Sequence, residues 1–186
     1  MTSVRKLFSY VVTSLDGYYE GPDGELDWAN IDAEYFEFAN QSNAAIDTLL
    51  FGRDGYVHMA AFWPDATGPD PEIVTFMNGV RKVVVSDTLE RAEWHNTTLV
   101  RGDDLAATVT ALKREPGREI ALFGSVKLTA SLLGLGLVDE LRVLVNPVLL
   151  GAGHSLFATL GRRLPLTHWR TTTFRSGNVL LTYRPA

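Results

Sequence analysis

Two glycines stand where an apolar strand is predicted to run into a helix. Gly52 follows the Leu-Leu-Phe of residues 49–51, and Gly124 follows the Ala-Leu-Phe of residues 121–123. The unpaired N–H groups at the start of a helix bind phosphate, and a glycine lets a ligand approach the backbone closely. Two such helix starts could hold a pyrophosphate between them. This pattern favours a phosphorylated ligand at these turns; the alternative is that each glycine serves only the geometry of its turn.

The sequence lacks the usual motifs for other chemistry. It has no phosphate loop of the Gly-Lys-Ser/Thr type, and Asp139 and Leu156 stand where a third glycine would complete a dinucleotide fingerprint. The four histidines show no ligand spacing, so we predict no metal site. The chain has no cysteine, which excludes thiolate nucleophiles, disulfides and the cysteine-bound zinc of a nucleotide deaminase.

The charge of the chain argues against nucleic acid as a partner. Lys and Arg total 17 against 22 Asp and Glu, a net charge of −5, and no basic block is present. Nucleic-acid binding depends on neutralising phosphates with clustered cations. Hydrophobic residues make up 46% of the 186 residues, which is enough for one full core. We predict a single domain over residues 1–186 with no nucleic-acid partner.

Two apolar stretches could suggest a membrane or export segment. Residues 7–12 follow Arg5-Lys6 as in a short signal peptide, but the stretch stops at Asp16 and no small-x-small cleavage site follows. Residues 120–138 contain Lys127 and three glycines, and a charge near the centre of a membrane span is costly. We interpret both stretches as core and predict a cytoplasmic protein with no membrane partner.

Strands and helices are predicted to alternate along the chain. This pattern predicts a mostly parallel sheet with helices on both faces, and Ser176-Gly177-Asn178 indicates a hairpin, hence an antiparallel C-terminal edge. Ligands of such sheets bind beyond the carboxyl ends of the strands, where the two glycine turns fall. The predicted strands are 7–12, 48–51, 83–85, 98–100, 120–123, 141–145 and two after residue 164; the predicted helices follow Asp32 to about 45, then 53–61, 71–77, Asp103 or Asp104 to 113 or 114, and 125–133, with a loop over 14–31.

An ordered series of short motifs carries a family resemblance over nearly the whole chain. The series is Ser-Leu-Asp-Gly at 14–17, Asp-Trp at 27–28, Leu-Phe-Gly-Arg at 50–53, Lys-Val-Val-Val-Ser at 82–86, Phe-Gly-Ser at 123–125, Gly-Leu-Val-Asp-Glu-Leu at 136–141 and Pro-Val-Leu-Leu-Gly-Ala-Gly at 147–153. It resembles the dihydrofolate-reductase-like superfamily, in the branch of the C-terminal reductase domain of the bacterial bifunctional riboflavin-biosynthesis deaminase/reductase.

The resemblance implies an α/β, three-layer dihydrofolate-reductase-like fold and an NADPH-dependent reductase of a small heterocyclic or carbonyl substrate. One such activity is that of a 5-amino-6-(5-phosphoribosylamino)uracil reductase. The alternative is a non-catalytic nucleotide- or ligand-binding member of the fold. Relatives of the riboflavin type also imply a homodimer, with the strand opened by Asp139-Glu140 near the contact between subunits.

The resemblance also implies roles for particular residues. The main chain at Val11 and Val12 would face the nicotinamide, and Asp16 and Gly17 would border the active site. Ser86 would lie near the adenosine ribose. The cofactor phosphates would be held at the two glycine turns, by Gly52, Arg53, Phe123, Gly124, Ser125, Val126 and Lys127, with Asp54 beside them.

Three positions depart from the family pattern. Gly55 replaces the threonine expected after Gly52-Arg53, Ser125 replaces a second glycine, and Asp87 stands where relatives often have a basic residue. Asp54 and Asp87 could lie near the adenosine ribose, where a carboxylate repels a 2′-phosphate and accepts a hydrogen bond from a 2′-hydroxyl. We hypothesise a weakened preference for NADPH and a tolerance of NADH; the alternative is that both aspartates are solvated turn residues.

A proton donor is harder to assign. Dihydrofolate reductases use an acid on the first helix shortly after a tryptophan, and Asp32 after Trp28 is the nearest match. The alternative is that Asp32 only caps the helix, a position that needs no catalytic role. Asp16 and Asp27 are the other carboxylates considered for this role.

Overall fold

Buried apolar strands form the centre of the protein, which a computed structural model describes over residues 4–186. Eight strands make one sheet, and two short strands make a second. The strands are β1 Leu7–Ser14, β2 Tyr18–Glu20, β3 Ile46–Gly52, β4 Arg81–Val85, β5 Thr97–Val100, β6 Glu119–Phe123, β7 Glu140–Asn146, β8 His154–Ser155, β9 Leu166–Thr173 and β10 Val179–Pro185. The helices are α1 Ala33–Asn43, α2 Arg53–Phe62, α3 Pro71–Gly79, α4 Leu105–Arg114 and α5 Val126–Gly134, with a 3-10 turn at Trp63–Asp65.

The large sheet is parallel except at its C-terminal edge. Its order is β5-β4-β3-β6-β1-β7-β10-β9, and β10 runs antiparallel to both of its neighbours. This confirms the predicted sheet and its antiparallel edge. Because β3 and β6 are parallel neighbours with Leu50 opposite Leu122, the two strands end level, and Gly52 and Gly124 lie side by side at the carboxyl edge.

Successive residues of a strand point to opposite faces of the sheet and pack against different pairs of helices. Leu50 and Leu122 pack with residues of α4 and α5, whereas Leu49, Phe51 and Ala121 pack with residues of α2 and α3. This alternation follows from the two-residue period of a β-strand. The helices therefore cover both faces of the sheet, which confirms the predicted three-layer arrangement.

The helix starts are set by short polar side chains. The Asp32 carboxylate accepts a hydrogen bond from the Tyr35 N–H at the start of α1, as predicted. Asp104, and not Asp103, caps α4, and Ser125 caps α5. No helix within residues 4–186 is both long enough and apolar enough to cross a membrane.

The small sheet of β2 and β8 corrects the prediction of a loop over residues 14–31. Tyr18–Glu20 pairs antiparallel with His154–Ser155. The same segments are joined by the Asp16 carboxylate, which accepts hydrogen bonds from the N–H groups of Leu150 and Gly151 at 3.1 and 2.8 Å. Strands of two or three residues are too short to show an alternating pattern of apolar and polar residues in the sequence. These two strands are also separated by more than a hundred residues.

Candidate functional site

A cavity of about 1140 Å³ opens at the carboxyl ends of the central strands. It is bounded by the end of β1, by the starts of α2 and α5, and by side chains of α1 and α3. Ten of the residues predicted to bind a cofactor line it: Val11, Val12, Gly52, Arg53, Asp54, Phe123, Gly124, Ser125, Val126 and Lys127. The structure thus brings the two glycine turns to one wall of a single cavity.

The two helix starts approach each other so closely that side chains are excluded between them. A Cβ atom added to Gly55 would lie 2.5 Å from the Gly124 carbonyl oxygen, and one on Gly52 would lie 2.6 Å from the Ser125 hydroxyl. Gly124 itself has a φ of +63°, a conformation that favours glycine. Glycines are required here because two backbones meet.

The start of α2 has N–H groups that no side chain caps. Its N-cap is Gly52, which offers no side chain to accept a hydrogen bond, whereas the Ser125 hydroxyl accepts one from the Leu128 N–H at 3.4 Å. The first N–H groups of a helix have no partner within the helix, and together with the helix dipole they attract anions. The residues present therefore fit a phosphate group of a dinucleotide cofactor.

Three charged side chains surround this uncapped helix start. The Arg53 guanidinium lies 3.0 Å from one oxygen of Asp54, and the Lys127 ammonium lies 3.8 Å from the other. All three side chains are largely exposed. Two cations share one carboxylate, so this wall keeps one net positive charge to offer a phosphate.

The other side of the cavity is mostly apolar and includes five aromatic side chains, and we call it the aromatic half. Most of its residues belong to two packed clusters that include Tyr10, Phe36 and Trp63. Such a surface suits a flat ring compound. The aromatic half is lined by Tyr10, Ile31, Tyr35, Phe36, Ala39, Asn43, Met59, Phe62, Trp63, Pro69, Ile73 and Met77.

Two tyrosines of the aromatic half remain neutral at physiological pH. Burial raises the pKa of Tyr10 well above its usual range, and the neighbouring Tyr35 raises it further. Burial also raises the pKa of Tyr35. Neither phenol therefore contributes a negative charge to the cavity.

A hydrogen-bonded pair from the small sheet also lines the cavity. The His154 imidazole Nδ1 lies 2.9 Å from the Glu20 carboxylate, and the Tyr19 ring packs against His154. We did not assign Glu20 or His154 to the site from the sequence. The signal that joins them is the pairing of β2 with β8, which no local pattern reveals.

Four of the predicted site residues lie outside the cavity lining: Asp16, Gly17, Asp32 and Ser86. The Asp32 carboxylate caps α1. Asp16 accepts a hydrogen bond from the Ser14 hydroxyl, which lowers the pKa of Asp16, and it also accepts the two N–H groups of the 150–151 segment. The Ser86 hydroxyl accepts a hydrogen bond from the Leu89 N–H at 3.0 Å and so stabilises the turn after β4.

Two further aspartates considered from the sequence are also not in the lining. Asp87 accepts a hydrogen bond from the Gly102 N–H at 2.7 Å. Asp27 lies in the segment between β2 and α1. Of the carboxylates weighed for the cofactor or the proton, Asp54 alone borders the cavity. Within residues 4–186, no group of three or more His, Asp or Glu side chains is arranged to hold a metal ion.

The sheet order, the antiparallel edge and a cavity at the strand ends define a dihydrofolate-reductase-like domain. Enterococcus faecalis dihydrofolate reductase, complexed with NADP(H), matches it with a TM-score of 0.65 at 15% identity, over 97% of this chain and 96% of that chain. The diaminohydroxyphosphoribosylaminopyrimidine deaminase/5-amino-6-(5-phosphoribosylamino)uracil reductase of Thermotoga maritima matches with a TM-score of 0.68 at 13% identity, over 98% of this chain and 57% of that chain. At sequence identities this low, the structural similarity establishes only that the fold is shared.

The chain belongs to the family of the RibD C-terminal domain, whose family model matches residues 5–180. It is also 34% identical over 183 residues to the uncharacterized protein YyaP of Bacillus subtilis (strain 168), covering 96% of this chain and 94% of that protein. Both matches span nearly the whole described chain. The family resemblance inferred from the ordered motifs is confirmed.

Proposed function

We propose that the protein is an NADPH-dependent reductase of a small heterocyclic or carbonyl compound. The observation that carries the proposal is a single cavity with two chemically different walls. One wall is an uncapped helix start flanked by Arg53 and Lys127, and the other is the aromatic half. A phosphorylated cofactor fits the first wall and a flat acceptor fits the second.

In this proposal the chain positions the reactants and excludes water. When bound, NADPH supplies the hydride, and the protein contributes orientation and electrostatics. The N–H groups at the start of α2 and the side chains of Arg53 and Lys127 hold phosphate oxygens. The main chain at Val11 and Val12 borders the ring to be oxidised, and the apolar side chains opposite keep the acceptor out of water. Gly17 and Ser86 act from outside the lining, by shaping the segments that follow β1 and β4.

Ligand binding without turnover is the second candidate function. It is favoured by the positions of Asp16, Asp27 and Asp32, none of which lines the cavity. NADPH oxidation, followed by its absorbance with a panel of ketones and pyrimidine derivatives, separates the two candidates. Turnover supports the reductase, and tight NADPH binding with no turnover of any acceptor contradicts it.

Replacing Arg53 with alanine is expected to weaken NADPH binding by about 1–3 kcal/mol, because a charge-assisted hydrogen bond to phosphate is lost. Calorimetric titration of wild type and Arg53→Ala measures the change. Arg91→Ala is the matched control, since Arg91 is an exposed arginine paired with Glu93 away from the cavity. An unchanged dissociation constant in Arg53→Ala would remove this residue from the site.

The preference for NADPH over NADH is expected to be less than about a hundred-fold. The Asp54 carboxylate lies close to both Arg53 and Lys127. Its negative charge cancels part of the attraction of these two cations for a 2′-phosphate. Titration of wild type with both cofactors tests this expectation. Asp54→Asn is expected to shift the ratio toward NADPH, and a preference well above a hundred-fold in wild type would contradict the role given to Asp54.

The proposal extends to a cytoplasmic homodimer whose reaction resembles that of the riboflavin-biosynthesis reductases, as family membership suggests. The exposed edge strand β9 supports an association between subunits, since an unpaired strand edge can pair with another chain. Sedimentation velocity is the test, and a monomer at micromolar concentration would exclude the dimer.

A further inference from the structure

The aromatic half of the cavity contains no cation. Among residues 4–186, the imidazoles that line the cavity are those of His58 and His154, and the Lys and Arg side chains that line it are Arg53 and Lys127. Both stand beside the start of α2 and share the Asp54 carboxylate. A phosphate on a ligand in the aromatic half would meet no guanidinium or ammonium group.

Cations near the aromatic half are already engaged. The Arg142 guanidinium is close enough to Tyr10 for its charge to offset part of the rise that burial causes in the pKa of that phenol. The same guanidinium lies 2.9 Å from Glu140 and 3.3 Å from Glu119. The buried Lys82 ammonium donates to three backbone carbonyl oxygens, those of residues 78, 80 and 95. Neither is free to turn toward a ligand.

The helix starts beside the aromatic half are capped by carboxylates. Asp32 accepts the Tyr35 N–H at the start of α1. Asp70 accepts the Glu72 N–H at 2.9 Å at the start of α3 and is held by the Asn40 amide at 3.1 Å. These carboxylates bring negative charge to the starts of α1 and α3 and repel an anion. At the start of α2 the single carboxylate of Asp54 is offset by the two cations Arg53 and Lys127.

From these observations we infer that the aromatic half binds a neutral, unphosphorylated ring compound and discriminates against a phosphorylated one. This inference rests on the proposed function for the role of the second wall. It narrows the substrate class away from phosphoribosyl pyrimidines such as the one named for the Thermotoga maritima enzyme. Moving a phosphate dianion from water to a site without a guanidinium or ammonium counter-ion is costly, whereas a neutral ring gains from burial against aromatic side chains.

Binding of matched pairs tests the inference without relying on turnover. The first pair is 5-amino-6-ribosylaminouracil and its 5′-phosphate, and the second is 2-naphthol and 2-naphthyl phosphate. Calorimetric titrations contain excess inorganic pyrophosphate, which competes for the gap between the helix starts. At least one neutral compound is expected to bind, and at least tenfold more tightly than its phosphate ester.

Two results would overturn the inference: a phosphate ester that binds as tightly as its neutral partner, or no binding of either neutral compound. Failure of NADPH to bind in a separate titration would instead contradict the proposed reductase and leave the selectivity for neutral rings standing. The two proposals therefore fail in different measurements.

Two variants on α1 locate the bound ring. Ala39→Leu fills part of the aromatic half and is expected to weaken binding of the neutral compound at least tenfold, whereas Ala33→Leu, on an exposed position of the same helix, is expected to have no effect. An equal effect of both variants would show that the ring binds elsewhere.

A gain-of-function variant tests the missing cation directly. Asn43→Arg places a guanidinium on the wall of the aromatic half, and it is expected to tighten binding of the phosphate esters at least fivefold while leaving the neutral compounds unchanged. Gln41→Arg is the matched control, because Gln41 is exposed on the same helix and does not line the cavity. No gain in Asn43→Arg would contradict the inference.

Discussion

Replacing Glu140 with glutamine is expected to destabilise the protein by about 3–5 kcal/mol, because it breaks a buried ion-pair network. The Glu140 side chain is 2% exposed and lies 2.9 Å from Arg142, 3.0 Å from Arg184 and 3.2 Å from Lys6. Arg142 is itself only 16% exposed. The substitution would leave its guanidinium buried with less compensating charge. Urea unfolding of wild type and variant gives the difference in the free energy of unfolding.

The same loss is expected to depend on pH in a defined window. Burial alone would raise the pKa of Glu140, but hydrogen bonds from Arg142 and Arg184 outweigh it and lower the pKa to about 2 from an ordinary 4.5. The folded state thus favours the carboxylate, and the stabilisation is fully present above pH 4.5. It declines as the pH falls toward 2, so the difference between wild type and Glu140→Gln should shrink over that range.

An exposed ion pair supplies the control for Glu140. Glu115 pairs with Arg81, and both side chains are about two-fifths exposed. Glu115→Gln should therefore cost no more than about 1 kcal/mol. If Glu140→Gln costs as little as Glu115→Gln, the buried network does not stabilise the sheet in the way its geometry indicates.

Gly55→Ala is expected to destabilise the protein by about 1–3 kcal/mol and to weaken NADPH binding at least tenfold. The added methyl group would lie 2.5 Å from the Gly124 carbonyl oxygen and 2.9 Å from its carbon. Both neighbours are backbone atoms, so one of the two helix starts must move. That movement would misplace the N–H groups that we assign to the cofactor phosphates.

A second helical glycine separates the steric effect from the effect of helix propensity. A Cβ on Gly134, at the end of α5, would meet no atom within 4 Å. Gly134→Ala is therefore expected to be neutral or stabilising by up to about 1 kcal/mol. Thermal unfolding and NADPH titration of both variants compare them. Wild-type cofactor affinity in Gly55→Ala would show that the close approach of the helix starts is not what holds the phosphates.

Much of the fold could be predicted because local pattern and global structure agree. The apolar strand ending at Gly52 and the one ending at Gly124 are continuous in the sequence and buried in the sheet. The Asp32 cap and the C-terminal hairpin also follow from residue types within a few positions. Each of these features depends on neighbours in the chain, so a sequence pattern contains the necessary information.

Residue type alone indicates only part of the aromatic half. Aromatic side chains suit a flat-ring pocket, and Tyr35, Phe36, Phe62 and Trp63 line the cavity, whereas Trp28 does not. Met59 and Ile73 also line it. Their side chains are ordinary helix residues, and only the packing of α2 and α3 on the same face of the sheet brings them to a common space.

The sequence by itself determined the order of the eight strands of the large sheet and of the five helices, the two glycine turns and the family to which the chain belongs. Only the tertiary structure decided which polar side chains reach the cavity. It placed Asp16 against the N–H groups of Leu150 and Gly151, up to 135 positions away, and it brought Glu20 to His154. The physical reason is that a carboxylate accepts hydrogen bonds from whichever N–H groups the folded chain brings close to it. For Asp16 those N–H groups belong to a distant segment of the chain.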